Sequence, residues 1–89
     1  MKIIEGFRLR TIVGEHIVTG EGLSQVNFNK LISLNESAAF LWEKMEGREF
    51  SVSDLADALV AEYGIGRDTA EKDSEAIARK WIEIGLVSE

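Results

Sequence analysis

Apolar side chains change their period near residue 35. Before it they alternate with polar ones; after it they recur every three or four positions. The run "FRLRTIVG" sets Phe7, Leu9 and an Ile-Val pair against Arg8 and Arg10, a period of two that predicts a strand. Gly14-Glu15 predicts a tight reversal and "HIVTG" a returning strand, so the two runs make a hairpin. "GEGLSQ" reads as a loop with two glycines. "QVNFNKLISL" predicts two short strands, at 26–28 and 31–34, around a turn at Asn29-Lys30. Asparagine tolerates the positive φ such a turn needs.

Three helices are predicted after that. Asn35 is a good N-cap, and Glu36 puts negative charge in the first turn, where the helix dipole favours it. Ala38, Leu41, Trp42 and Met45 then build one apolar face, and Gly47 ends the helix in a left-handed conformation. Ser51 and Asp54 have capping-box spacing, with Phe50 and Leu55 placed as a hydrophobic staple. Leu55, Ala56, Leu59, Val60 and Tyr63 form the expected buried stripe of this second helix, and Gly64 stops it. A third helix is expected from Asp68, with Glu71 three residues on. Its apolar face runs through Ala70, Ile77, Trp81 and Ile84, widened by Ala78 and Ile82. Gly85 ends it, and Leu86-Val87 fold back as an apolar tail.

Strands first and helices after predict an α+β fold: a small antiparallel sheet of three or four strands followed by three helices. A helix, a turn and a second helix behind a small sheet resemble a winged helix-turn-helix. The 89 residues suffice for one domain with one modest core. No cysteine is present to staple that core or to bind a metal as thiolate, and there is no proline, so turns rest on Gly, Asn, Asp and Ser. The opening "MKIIEGFRLR" lacks the apolar run of a signal peptide, and no segment approaches a membrane span, which leads to the expectation of a cytoplasmic protein that does not engage membranes.

Charge narrows the function. Residues 1–35 carry a net +1 and residues 36–89 a net −7. An acidic helical half is a poor surface for a phosphate backbone. The second helix would be the recognition element of a DNA-binding regulator or its neighbour. It offers Asp54, Asp57 and Glu62, with no Arg or Lys between Ser51 and Tyr63. A winged-helix transcriptional regulator is therefore the alternative reading, and nucleic acid is not the expected partner. Catalysis has little material: the sole histidine, His16, sits in a predicted strand facing solvent, and no zinc-protease, phosphate-loop or serine-hydrolase motif is present. No catalytic residue, metal site or cofactor is expected. Protein recognition remains. An open sheet edge can accept a strand from a partner, and "NKLISLN" is a short, largely uncharged candidate. Ile77, Trp81 and Ile84 of the third helix could form the facing wall, although the same three stand at core spacing.

Three stretches together are similar to the PqqD-like family, the coenzyme PQQ synthesis protein D group. "LNESAAFLWEKMEG" resembles its signature through Leu34, Asn35, Ala38, Trp42 and Gly47. "FSVSDLADALVAEYGI" resembles its second helix, and "DSEAIARKWIEIGLV" its last, with Asp73, Ile77, Trp81 and Gly85-Leu86-Val87 in place. The likeness runs from Phe7 to Val87. It implies a RiPP recognition element, a non-catalytic, cofactor-free peptide chaperone of natural-product biosynthesis. Such a domain captures the leader of a ribosomal precursor peptide as an added strand and presents it to a modifying enzyme, often a radical-SAM protein. By position, the resemblance places the leader along Leu31, Ile32, Ser33 and Leu34, with Ile77, Lys80, Trp81 and Ile84 lining the groove. PQQ proteins run directly from the second strand into the one before "LN", whereas this chain inserts "GLSQVNFNK". The peptide expected is thus one other than the PQQ precursor. An exposed edge could also pair with a second copy, giving a homodimer.

Overall fold

A computed structural model describes residues 1–20 and 31–89. Their order is β1 (Lys2–Ile3), β2 (Phe7–Ile12), β3 (Glu15–Gly20), β4 (Leu31–Leu34), α1 (Glu36–Met45), α2 (Val52–Tyr63), α3 (Arg67–Ile84) and β5 (Val87–Ser88). The expected α+β architecture is present, with an antiparallel sheet ordered β2-β3-β4 ahead of three helices. The strand expected at 26–28 and the Asn29-Lys30 turn lie outside the described residues.

The hairpin turns one residue earlier than expected. Thr11 pairs with His16 and Ile12 with Glu15, leaving Val13-Gly14 as the loop instead of Gly14-Glu15. Both loop residues have positive φ, +50° and +79°, as a two-residue type I′ turn requires. A β-branched residue is costly there, and Val13 is 97% exposed, so packing returns nothing for the strain. Val13→Asn, which creates the favoured Asn-Gly pair, is expected to raise stability by about 1 kcal/mol, read as a higher melting temperature.

Local capping fixes the helix ends. The Asn35 side chain accepts from the Ala38 N–H at 2.9 Å. Ser51 and Asp54 form the reciprocal box: Ser51 N–H donates to Asp54 Oδ2 at 2.9 Å, and Asp54 N–H to Ser51 Oγ at 3.2 Å. Gly64 closes α2 in the left-handed region. Two expectations need correction. First, α3 begins at Arg67 behind Gly66, with no side-chain cap. Glu71 instead accepts from Arg67 Nε at 2.9 Å, while Arg67 also reaches Asp57 and Ser53 of α2. The hydrogen bond to Asp57, then that to Glu71, raises the already high guanidinium pKa. Second, Tyr63 is not in the buried stripe. It is 46% exposed, because it ends α2 beyond the reach of the core.

The core gathers Phe7 and Val18 of the sheet, Leu41, Trp42 and Met45 of α1, Leu55 and Leu59 of α2, and Trp81 of α3. Trp81 is its hub, meeting the rings of Trp42 at 5.5 Å and Phe50 at 6.4 Å, both edge-on, the geometry aromatic quadrupoles favour. The apolar tail after Gly85 does fold back, and it does so as a strand: β5 pairs with β1, Ile3 opposite Val87. Leu86, 0% exposed, is anchored beside it. Among the described residues no helix is long and apolar enough to cross a membrane.

Two buried polar groups lack a hydrogen-bond partner among the described residues, Trp42 Nε1 and the Ser74 hydroxyl. Ser74 is fully buried on α3 and its hydroxyl has no partner among the described residues. An unmade buried hydrogen bond costs about 1–3 kcal/mol. Ser74→Ala is expected to raise the melting temperature by several degrees, roughly 4–8 °C per kcal/mol in a domain of this size.

Candidate functional site

Among the described residues β2 and β4 are the two edges of the three-stranded sheet, and the candidate site lies at β4. Among the described residues the neighbour of β4 is β3 alone, with Thr19 opposite Leu31 and His16 opposite Leu34. In an antiparallel pair alternate residues turn their N–H and C=O away from the partner strand. Two of the four β4 residues therefore offer main-chain donors and acceptors outward. Side chains alternate as well. Ile32 and Leu34 pack toward the core, while Leu31 on the other face is 73% exposed.

Beside this edge runs helix α3, and a cleft of about 110 Å³ lies between them. It is lined by Ile32, Ser33 and Leu34 from β4, by Asn35 and Ala38 at the start of α1, and by Ile77, Lys80, Trp81 and Ile84 from α3. Seven of the eight residues assigned to the groove by position thus meet around one cleft. Leu31 does not line it but belongs to the same strand. Trp81 is only 2% exposed, so it serves as floor more than wall. Ile77 and Ile84 are half-buried and Lys80 exposed, which makes an apolar slot with one cation at its rim.

Asn35 and Ala38 were assigned other duties by the sequence, cap and core, and their place in the cleft follows from those duties. Capping ends β4 and starts α1 at one point, so the last strand residue and the first helical turn share a corner. Asn35→Ala removes the acceptor of the Ala38 N–H and is expected to cost about 1 kcal/mol, measurable by urea denaturation, and to loosen that corner.

His16 is half-buried rather than solvent-facing, its Nδ1 3.0 Å from Thr11 Oγ1 across the hairpin. Cross-strand pairing accounts for that contact. Among the described residues no group of three His, Asp or Glu stands ready for a metal ion. The exposed positions of α2 include Asp57 and Glu62, and the helix has no Lys or Arg, so it remains unsuited to DNA.

Comparison with known proteins gives a family and a fold. The family described as Coenzyme PQQ synthesis protein D (PqqD) matches residues 15–87. No curated protein sequence matches the chain. A solved structure, "TbiB1 in Complex with the TbiA(beta) Leader Peptide", superimposes with a TM-score of 0.75 at 22% identity, covering 100% of both chains. That likeness speaks for the fold.

Proposed function

Since the chain belongs to the PqqD family, we propose that it is a RiPP recognition element: a peptide-binding module that takes the leader of a ribosomal precursor peptide as a strand on β4. The observation that carries this reading is a strand edge that is open among the described residues, with an apolar cleft at the same place. The structurally similar TbiB1 was solved with a leader peptide bound, which supports the same use of the fold here. Main-chain groups of β4 supply the hydrogen bonds, and Ile77, Lys80, Trp81 and Ile84 supply side-chain contact. The bound peptide is then presented to a modifying enzyme, a radical-SAM protein being the partner the family suggests. Binding needs no cofactor, because pairing and burial do the work.

A leader of about ten residues buries little area and orders itself on binding, so a micromolar dissociation constant is expected. The test is titration of the protein with the leader of a short peptide encoded beside its gene. Amide resonances of β4 and the emission of buried Trp81 should shift together. Resonances that stay in place at high micromolar peptide, in folded protein, overturn the reading. Ile77→Glu, which puts a charge in the slot wall, should weaken binding by about tenfold or more while leaving the fold intact, since Ile77 is half-buried.

A further inference from the structure

The cleft does not end at Ile77. Ile77 and Asn35 also line a second hollow, about 470 Å³, which continues along α3 toward its N-terminal half. Leu59, Tyr63, Ile65 and Ala76 make its apolar wall, with Asp73 at its rim. We propose that this basin is a specificity site for one large apolar side chain of the bound peptide, with a basic residue beside it facing Asp73. The inference rests on strand addition at β4 as proposed above.

Size separates the two hollows. The β4–α3 cleft holds an extended backbone with small or slim side chains. The basin is several times larger, within the on-the-order-of 300–1,000 Å³ range of ligand pockets, so it is where an aromatic or large aliphatic side chain fits. Its exposed wall is already positioned. Tyr63 is 46% exposed, yet its ring is held edge-on by Phe40 at 5.8 Å between centroids. A pre-set aromatic contributes contact area at small entropic cost.

Charge gives the trough a direction. Lys80 stands exposed on the cleft and Asp73 exposed on the basin. Seven residues apart on one helix, they lie on one face about 10 Å from each other, between the two- and four-residue offsets, about 7 and 13 Å, that keep side chains on one face of an extended strand. A peptide with an acidic residue at the cleft, a large apolar residue two positions on and a basic residue two positions beyond that, all on one face of the strand, matches both. The reverse polarity opposes like charges at both ends. Register and orientation of the added strand are set this way, which backbone pairing alone leaves open.

The probe is a display library of random twelve-residue peptides, selected on the whole protein. Enriched peptides should carry Asp or Glu, a large apolar residue and Lys or Arg at alternate positions, about two residues apart. Selection on the Asp73→Lys, Lys80→Glu double variant should invert the charges of the consensus. Tyr63→Ala should weaken the parent-selected peptides by roughly tenfold, with unchanged melting. Enriched peptides that shift β4 resonances but show the same consensus on all three proteins overturn the basin proposal and leave strand addition standing. Failure of every enriched peptide to shift β4 overturns strand addition itself.

Discussion

Trp81→Ala is expected to destabilise the protein by about 3–5 kcal/mol and to lower its melting temperature by roughly 15 °C or more. The side chain is 2% exposed and touches two other aromatic rings, one from α1 and one from the segment before α2. Removing it leaves a cavity where α1, α3 and the segment before α2 meet, and an 89-residue chain has no second core to absorb the loss. Set against a total stability of about 5–15 kcal/mol for typical domains, the variant should be partly unfolded at moderate temperature. Trp81→Phe keeps an aromatic ring at the junction and should lose less than half as much. Thermal unfolding followed by circular dichroism decides the matter. An alanine variant melting within a few degrees of the parent would mean the junction is not where the fold is held. Because Trp81 is also the cleft floor, its loss should abolish peptide binding along with stability, so it reports on the core and not on recognition.

The features read correctly from the sequence are those written in neighbouring residues. Asn35, the Ser51/Asp54 box and Gly64 each act within one helical turn, and the structure puts all of them to the expected use. Errors arose where distant parts decide. Tyr63 continues the spacing of Leu55, Ala56 and Leu59, but at the last turn of α2 it packs edge-on against Phe40 near the surface and stays 46% exposed, so periodicity points inward at a residue open to solvent. A β-branched side chain resists positive φ, so Val13 carries no turn signal in the sequence; the register of six cross-strand pairs overrides that preference. The β1–β5 ladder joins residues 86 apart and left no local signal.

The candidate site divides the same way. Family resemblance assigns Leu31, Ile32, Ser33, Leu34, Ile77, Lys80, Trp81 and Ile84 to the groove, and all of these but Leu31 line one cleft. The basin beyond was missed. Its lining comes from the start of α1, α2, the loop before α3 and α3 itself, and Leu59, Tyr63 and Ile77 each look like core when counted along their own helix. The only sequence signal that could have exposed it is Tyr63, a large aromatic at the last position before a helix-ending glycine, where a core role is hardest to fill.

Methylating the amides of a bound peptide one at a time is expected to give the sharpest binding effect, with a period of two. If the peptide adds to β4 as an antiparallel or parallel strand, alternate N–H groups point at β4 and the rest at solvent. A methyl on an inward amide removes the donor, strands an outward-facing β4 carbonyl without its partner, and pushes the two backbones apart. The hydrogen bond and the unpaired group together cost about 1–3 kcal/mol, which is roughly a five- to hundredfold loss in affinity. A methyl on the next amide meets water and should change affinity by less than about twofold, since it forfeits no bond to the protein. Only two of the four β4 residues present their main chain outward, so few positions should be sensitive, and these should alternate along the peptide segment opposite residues 31–34. A profile that is flat, or whose sensitive amides are consecutive, would mean that the cleft grips the peptide by its side chains alone. Strand addition would then be the wrong description of the complex, even with Ile77 and Ile84 still in contact.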